Sequence, residues 1–409
     1  MGTRVYILGG SQTDFAVNAT RNGHGLFELM RDAVRGALES SDLEASALQS
    51  AHVGNFAGEL FCHQGQLNGM LAAIDDGFWG IPSGRHEAAC ASGSIALLAA
   101  TAEIESGRYD SVLVTGVELE RNVPGDQAAD NLGAAAWAGR EGHNVRYLWP
   151  HMFSRLGEEY DRRYGLRYEH LGRISQVNIE NAKHNAFAQT RKWTFEDSSF
   201  TEDDQANPVI DGMLRRQDCG QVTDGAAAVI LAGEGFATEY AKRRGLTIED
   251  IPYISGWGHR TAHMLYEEKI LRSQSDRYVF PHVAQAIQDA FSRASLTGVD
   301  ALDGIETHDC FSTTQYMAID HFGITAPGES WKAIENGDIE KSGRIPMNPS
   351  GGLIGLGHPV GATGVRMLLD AAKQVSGRAE GCQIEGAKRF ATLNIGGSAT
   401  TVVSFIVER

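Results

Sequence analysis

The sequence predicts an α/β fold made of two related halves, and three observations carry this prediction. Strand patterns are interspersed with long helical patterns, at residues 4–9, 110–116, 304–307, 390–395 and 400–407. Glycine contributes 48 of 409 residues, about 12% against a usual ~7%, which suits many tight strand–helix junctions. A weak repeat relates the helical patterns that begin at Cys90-x-x-Gly and His358-x-x-Gly, because each is followed by a strand. A repeat this short supports two related halves only modestly.

The helical pattern after Cys90 supplies the first candidate for chemistry. The residues that follow are small and then helix-forming, with no charge until Glu103. This pattern predicts a buried helix whose first turn carries the thiol, where free N–H groups and the helix dipole favour a thiolate. The alternative is a buried cysteine that only packs, which is the commoner situation for a single cysteine.

Residues 121–207 differ from the rest of the chain. They are rich in charged and aromatic residues, among them Trp137, Tyr147, Trp149 and Tyr160. The composition predicts an inserted segment between the core elements of the two halves. We therefore divide the chain into an N-terminal half (1–120 and 208–250), an inserted loop domain (121–207) and a C-terminal half (251–409).

The strand pattern at 304–307 leads directly into His308 and Cys310. Residues two apart in an extended segment point to the same side, so both side chains are expected to face one pocket. No second Cys-x-x-Cys or His-x-x-x-His cluster accompanies them, so we predict no metal site here. Cysteines and histidines from distant parts of the chain remain an alternative zinc site.

Residues 348–364 place six glycines around His358, and a helical pattern follows at 365–375. Glycine is used where the backbone bends sharply or approaches a ligand closely. A phosphate cradle is one interpretation, but the spacing fits neither the dinucleotide fingerprint nor the P-loop. A histidine on such a loop is better placed as an acid, a base or an oxyanion donor.

The last candidate is the glycine pair in Asn394-Ile-Gly-Gly-Ser, between the strand patterns at 390–395 and 400–407. The N–H group of Gly396 is a candidate oxyanion donor. The other interpretation is a hairpin turn without a further role.

Together these segments resemble the thiolase family, and more specifically its sterol-carrier-protein type. Cys90-Ala-Ser-Gly-Ser matches the stretch around the family's nucleophile, His308-Asp-Cys-Phe its second motif and Gly-His358-Pro its third. Asn394 stands where ordinary thiolases carry a second cysteine, and residues 222–231 also match the family pattern.

The resemblance runs from about residue 4 to about residue 407 and therefore covers nearly the whole chain. It implies the thiolase fold, in which two βαβαβαββ halves, each with a mixed five-stranded sheet, stack as a five-layer αβαβα sandwich. An inserted loop domain covers the active site in that family. The motif Asn394-Ile-Gly-Gly-Ser is one residue shorter around its glycines than we expect for close relatives. This difference affects the assignment of Gly396 as the oxyanion donor.

The resemblance also implies a role for each motif residue. Cys90 would take the acyl group from coenzyme A, and His358 would accept its proton and later help bind the thioester oxygen. Cys310 would move a proton at the substrate's α-carbon, while His308 would donate a hydrogen bond to the enolate oxygen. The N–H groups of Cys90 and Gly396 would form a second oxyanion hole.

Coenzyme A and acyl-coenzyme A are the implied substrates, with no permanently bound cofactor. Met152 and Ser255 match positions near coenzyme A in relatives. Lys183, Arg215 and Arg216 are candidates for a basic patch that receives its phosphates. A homodimer or homotetramer is expected, and a small accessory subunit is compatible with the resemblance.

Two other functions stay open at this point. One is a retro-aldol lyase on the same fold, although such relatives depart from the cysteine and histidine set kept here. The other is a non-catalytic acyl-coenzyme A or lipid-binding partner, which would not need two reactive thiols. The chain ends at Arg409 without a sterol-carrier domain, so lipid transfer is not expected.

Composition limits the partners and the compartment. A formal net charge of −16 argues against binding to nucleic acid or to anionic membranes. No apolar run reaches the ~18 residues of a membrane span. Five cysteines at no framework spacing indicate a reducing compartment. With no leader ahead of the first strand pattern and no peroxisomal signal at the end, the expected location is cytoplasmic.

Overall fold

The computed structural model describes residues 4–142 and 145–409. Three residues of the predicted N-terminal half and two of the predicted inserted segment lie outside the described residues. The described strands are β1 (Val5–Gln12), β2 (Ser50–Gly54), β3 (Ser83–His86), β4 (Ser111–Glu118), β5 (Val209–Asp211), β6 (Leu214–Arg215), β7 (Gly225–Gly233), β8 (Tyr253–Thr261), β9 (Gly304–Thr307), β10 (Arg389–Gly396) and β11 (Thr401–Glu408).

The described helices fall between these strands. They are α1 (Leu26–Ser41), α2 (Gly58–Cys62), α3 (Leu71–Ile74), α4 (Ser92–Glu105), α5 (Gly125–Gly133), α6 (Leu148–Tyr164), α7 (Tyr168–Ala182), α8 (Glu234–Arg243), α9 (Tyr266–Arg272), α10 (Pro281–Arg293), α11 (Ser312–His321), α12 (Ser330–Glu335), α13 (Gly352–Gly355) and α14 (Thr363–Val375). The predicted strands and helices are all present, with ends that differ by three residues at most.

Two half-sheets with the same topology form the core, so the predicted repeat is confirmed. The strand order is β3-β2-β4-β7-β1-β8-β11-β10-β9. In the first half β2 runs parallel to β4, which is antiparallel to β7. In the second half β9 and β10 are parallel and β10 and β11 antiparallel. A short antiparallel contact between β1 and β8, at Val5–Ile254, joins the half-sheets at their edges.

The second half differs from the expected five strands. Its described part has four named strands, and the counterpart of β3 is reduced to a single parallel bridge between Ile305 and Met347. Met347 is followed by Asn348, whose backbone has a positive φ of 50°, so the extended conformation ends there.

Five layers result from the packing of the helices. α4 and α14 lie between the half-sheets, where Leu97 and Leu368 share one buried apolar cluster with strand residues of both halves. α4 is apolar around its circumference because it is covered on all sides. α1 and α8 cover the outer face of the first half-sheet, and α10 covers that of the second. The predicted sandwich is confirmed.

The inserted segment packs mainly on the second half. α6 contacts α11, and α7 contacts both α11 and α13. The hairpin of β5 and β6 packs on α6 although it follows residue 207, so it belongs spatially with the insert. None of the described helices combines the length and the apolar character that crossing a membrane requires.

Glycine at the start of α14 allows the two central helices to meet closely. A Cβ atom on Gly364 would lie 2.4 Å from the backbone nitrogen of Ser94, which is on α4. A Cβ atom on Gly93 would lie 2.7 Å from the carbonyl oxygen of Gly361. Such distances are shorter than side chains tolerate, so these contacts require glycine.

We predict that Gly364→Ala lowers the free energy of unfolding by about 1–3 kcal/mol, because the added methyl group must push α4 and α14 apart. Urea denaturation followed by circular dichroism measures this change. The matched control is Gly235→Ala, on exposed α8, where nothing lies within 4 Å of the added carbon. Equal unfolding midpoints for both variants would contradict the close-packing account.

Candidate active site

A cavity of about 460 Å³ lies where the two halves and the insert meet. Cys90, His358, Cys310 and Gly397, which come from different core loops, all contribute to its wall. The insert closes it with residues of α5 and α6, including Trp149. The structure thus brings together three side chains that are far apart in the sequence.

Cys90 lies on a tight turn between β3 and α4. The turn includes Ala89 with a positive φ of 50°. The Ser92 hydroxyl accepts a hydrogen bond from the N–H of Ala88 at 2.9 Å and donates to the carbonyl of Ala89 at 2.6 Å. The helix begins at Ser92 with Ala91 as its N-cap, so Cys90 precedes the helix, contrary to the predicted place in its first turn.

Burial dominates the protonation of Cys90. It raises the pKa of the thiol to about 12, and the nearby carboxyl group of Glu120 acts in the same direction. Hydrogen bonds from the N–H groups of Gly397 and of Cys90 itself lower the pKa only in part. The prediction of a thiolate favoured by the helix end is therefore wrong for the empty site, because desolvation of the charge is the larger effect.

His358 is held as a neutral imidazole with one defined tautomer. Its Nδ1 lies 2.7 Å from the hydroxyl of Thr363, and that hydroxyl donates to the carbonyl of Pro359 at 2.9 Å. Because the hydroxyl has only one proton, Nδ1 must carry the other and donate. Nε2 is then the basic nitrogen, and it is buried without a protein partner among the described residues. Burial lowers the pKa of His358 to about 3.

His308 has the opposite tautomer. The side-chain amide of Asn394 donates to Nδ1 of His308 at 3.2 Å, and its oxygen accepts from Ser94 at 2.8 Å. Nδ1 is therefore an acceptor, and Nε2 carries the proton and can donate. Burial lowers the pKa of His308 well below its usual value. The network sets this histidine up as a neutral hydrogen-bond donor.

The two histidines and Cys90 form one cluster. Each offers one ligand-type atom, and these three atoms lie within 4.8 Å of one another. The imidazole rings are perpendicular, with centroids 5.2 Å apart. A cysteine with two histidines is also a donor set that zinc accepts, so a metal ion is an alternative occupant that experiment must test.

Cys310 is buried and lies in the cavity wall, as predicted, whereas His308, which was expected to face the same pocket, is buried but is not among the wall residues. The neighbouring carboxylate of Asp309 anchors this loop, because it accepts hydrogen bonds from the N–H groups of Leu353 at 2.6 Å and Ile354 at 3.2 Å. Burial raises the pKa of the Cys310 thiol well above its usual value, and proximity to Cys90 adds to the rise.

The glycine pair near the C-terminus does form a hairpin, between β10 and β11. The N–H group that it brings to Cys90 is that of Gly397, which also lines the cavity. Gly396 is the last residue of β10 and packs against the carbonyl of Ala88. The structure thus replaces the predicted donor Gly396 with its neighbour.

The four residues expected near coenzyme A do not line the cavity. Met152 is buried in the apolar core, and the Ser255 hydroxyl lies on β8, where it donates to the carbonyl of Ile406. Lys183 is exposed at the end of α7. Arg215 forms an ion pair with Asp204 at 2.7 Å.

Arg216 is the basic residue of this region that reaches the cavity wall. It is exposed, and no ion pair to it is present in the described part of the chain. Arg215 and Arg216 are sequence neighbours, and which of them faces the cavity depends on the end of the β6 strand. That detail had no signal in the sequence.

Two buried carboxyl groups were missed by sequence reasoning. Glu118 accepts hydrogen bonds from the N–H groups of Phe56 and Gly361 and so ties the halves together. Glu120 accepts from the N–H of Val360 at 3.0 Å and lines the cavity. Burial raises the pKa of Glu118 to about 7 and that of Glu120 well above its usual value. Glu118 ends the fully buried strand β4 and Glu120 follows two residues later, and this position was a usable signal.

We predict that neither His308 nor His358 gains a proton between pH 5 and pH 8, since burial penalises both imidazolium ions. Nitrogen NMR of histidine-labelled protein should find the proton on Nε2 of His308 and on Nδ1 of His358. Spectra of His308→Asn and His358→Gln assign the two signals. Titration of either ring near pH 6.5, or the reverse tautomers, would contradict the network.

Comparisons with known proteins agree with this architecture. The thiolase N-terminal domain model matches residues 5–161, and the model of the thiolase C-terminal domain-like family matches residues 266–409. Acetyl-CoA acetyltransferase of Methanothermobacter thermautotrophicus is 33% identical over 384 residues, which are 93% of this chain and 94% of that protein. Human sterol carrier protein 2 is 29% identical over 98% of this chain and 71% of its own length.

Two solved structures share the fold across nearly all of the chain. The Ltp2-ChsH2(DUF35) aldolase superposes with a TM-score of 0.79 at 21% identity and covers 99% of this chain and 97% of its own. Human mitochondrial 3-ketoacyl-CoA thiolase has a TM-score of 0.69 at 16% identity, with 99% and 98% covered. The family models, the acetyltransferase relative and the repeated half-sheets lead to one conclusion: this chain belongs to the thiolase family.

Proposed function

We propose that this chain is a thiolase-type acyltransferase that cleaves 3-ketoacyl-coenzyme A with coenzyme A, or runs the reverse Claisen condensation. The observation that carries the proposal is the pairing, within one cavity, of the Cys90 thiol with a neutral imidazole. The hydrogen bond between Thr363 and Nδ1 of His358 leaves Nε2 as a base. Cys310 in the same wall supplies a second proton carrier.

In the direction of synthesis, the sulfur of Cys90 attacks the thioester carbonyl of an acyl-coenzyme A while its proton moves to Nε2 of His358. The bond from the acyl carbon to the coenzyme A sulfur then breaks, and His358 returns the proton to that leaving sulfur. The pKa of the thiol is raised and that of the imidazole lowered, so the resting pair is uncharged. The proton therefore transfers as the carbon–sulfur bond forms rather than beforehand. In this proposal the N–H groups of Gly397 and Cys90, which lower the pKa of the thiol, also donate to the developing oxyanion.

The carbon–carbon bond forms in the second step of synthesis. His358 takes the thiol proton of Cys310, which removes the α-proton of a second acyl-coenzyme A. The enolate attacks the acyl group on Cys90, and the Cys90 sulfur leaves with the proton held by His358. Cleavage is the reverse: Cys90 attacks the 3-keto carbonyl, the carbon–carbon bond breaks, the Cys310 thiol gives its proton to the α-carbon, and coenzyme A then takes the acyl group from Cys90. Nε2–H of His308 donates to the enolate oxygen, since Asn394 occupies Nδ1. A donor fixed before reaction saves reorganisation during the step.

Several wider features belong to the same proposal. β3 is the free edge of the described sheet and is partly exposed, which suits pairing with a second copy in a homodimer or homotetramer.

The five cysteines are all free thiols, which fits a cytoplasmic location. The division at residues 120, 207 and 250 is retained as a proposal.

We predict that Cys90→Ala lowers kcat by about 10⁴-fold or more, because the covalent route is lost. Loss of enolate absorbance is followed with acetoacetyl-coenzyme A and with a longer 3-ketoacyl-coenzyme A, each with free coenzyme A. The control is Cys62→Ala, outside the cavity wall. The wild type is assayed alone and with a chelator, so that activity under both conditions argues against an obligatory partner subunit and a catalytic metal.

Absence of turnover in the wild type, despite measurable binding of coenzyme A, would contradict the proposed function. It would favour a lyase or a binding subunit instead. The Ltp2-ChsH2(DUF35) aldolase, named with its DUF35 partner, shows that this fold also serves an aldolase.

We predict that Cys310→Ala separates the two half-reactions. Exchange of label between free coenzyme A and acetyl-coenzyme A needs only Cys90 and His358, so it should stay within about threefold of wild type. Cleavage of acetoacetyl-coenzyme A should fall by about 10²–10⁴-fold, the usual contribution of a positioned acid or base. Equal losses in both assays would contradict the division of roles.

We predict that Arg216→Gln raises the Kd of coenzyme A about three- to tenfold, as loss of one exposed phosphate contact does. Calorimetric titration measures the Kd. Lys183→Gln is the matched control, because it removes one exposed positive charge outside the cavity wall. A larger effect at Lys183 than at Arg216 would place the phosphates elsewhere.

A further inference from the structure

Lys269 is a lysine that is only 4% exposed, on the short helix α9. Its ammonium group donates to the hydroxyl of Ser398 at 2.6 Å and to that of Thr400 at 3.1 Å. A third acceptor is the carbonyl of Met264 at 3.2 Å. Burying a lysine costs free energy, so we expect a lysine in this position to have a structural or functional role.

The two hydroxyl acceptors belong to the turn that joins β10 and β11. This turn carries Gly397, which lines the cavity together with Cys90 and whose N–H lowers the pKa of the Cys90 thiol. Gly397 and Ala399 both have a positive φ of 61°. For alanine this conformation is strained by about 1–2 kcal/mol, so the turn relaxes unless its surroundings hold it.

His282 holds the same turn from α10. Its Nε2 lies 2.8 Å from the carbonyl of Ala399, and burial lowers its pKa to about 4, so a neutral ring donates this hydrogen bond. Lys269 and His282 thus both hydrogen-bond to residues 398–400. Neither residue lines the cavity, and neither was suggested by the sequence.

We propose that Lys269 is a positioning residue, which holds the Gly397 N–H against the sulfur of Cys90 through Ser398 and Thr400. The inference deepens the proposed function and rests on it for its effect on turnover. The hydrogen bonds from Lys269 to the Gly397 turn do not depend on which reaction Cys90 performs.

A nucleophilic Lys269–Ser398 pair is the competing interpretation of the 2.6 Å contact. Burial lowers the pKa of Lys269 to about 7, while Glu141 and Glu267 oppose this change. Ser398 is 5% exposed and lies outside the cavity wall. The contacts of Lys269 are with the turn, so we assign the pair a role in holding the turn.

The test is the rate at which iodoacetamide alkylates Cys90 at pH 8, followed by mass spectrometry of the Cys90 peptide. In Lys269→Met the Gly397 N–H moves away, the thiol loses a hydrogen bond that favours its charged form, and alkylation slows about fivefold or more. A lysine that only stabilises the fold would give the opposite sign, because a loosened site exposes the thiol and speeds alkylation.

Thr400→Val supplies a second variant in case Lys269→Met does not fold. It removes one acceptor at nearly constant volume and should slow alkylation about two- to threefold. The double variant should be no slower than Lys269→Met, since both act through one turn. Lys332→Met, at an exposed lysine paired with Glu329, controls for loss of a charge and should leave the rate unchanged.

Steady-state kinetics add a second readout. Lys269→Met should lower kcat about 10-fold or more, and the KM for coenzyme A should change less than twofold, because the displaced donor faces the reacting carbonyl. Unchanged or faster alkylation in correctly folded Lys269→Met and Thr400→Val overturns the inference. Slower alkylation in a protein without thiolase turnover supports the positioning role and contradicts only the proposed reaction.

Discussion

The close contact between the starts of α4 and α14 is the constraint on which the rest of the site depends. Gly93, Gly361 and Gly364 leave no room for side chains between the two helices. Because the halves share one topology, this contact places two equivalent loops side by side. One loop carries Cys90 and the other carries His358. The repeated strand order of the half-sheets therefore brings the side chains of Cys90 and His358 together near the points where the two helices begin.

Burial of the uncharged groups that we propose to be catalytic is a second feature of this site. The same desolvation raises the pKa of both cavity thiols and lowers that of both histidines. Charge therefore appears only during reaction, where fixed N–H donors can act on it with little screening. The hydrogen bonds from Thr363 and Asn394 decide which imidazole nitrogen accepts a proton and which donates one.

Residue type and glycine context were enough to find the reactive side chains in the sequence. A short local motif was enough to single out each of Cys90, Cys310 and His358. The strand Gly304–Thr307 was predicted with its observed ends. The failures share one cause, which is tertiary contact. The choice of Gly397 over Gly396 depends on a turn held by Lys269 and His282, which lie over 100 residues away in the chain.

The direction of the thiol pKa shift was also beyond local reasoning. A helix end favours a thiolate, but burial at the cavity wall outweighs this effect at Cys90 and raises the pKa of its thiol. Arg216 was one of three basic candidates in the sequence, and the fold was needed to show that it, rather than Arg215 or Lys183, lines the cavity. The sequence motifs identified the residues of the candidate site, whereas the contacts between these residues became visible in the fold.

The most direct test of the central claim is the intact mass of the protein after brief mixing with acetyl-coenzyme A. An acyl-enzyme predicts an added acetyl group of about 42 Da, which peptide mapping locates on Cys90 and which free coenzyme A removes. The protein should gain no such mass when Cys90 has first been alkylated. A stable absence of the adduct, or an acetyl group on another residue, would contradict an acyl transfer through Cys90.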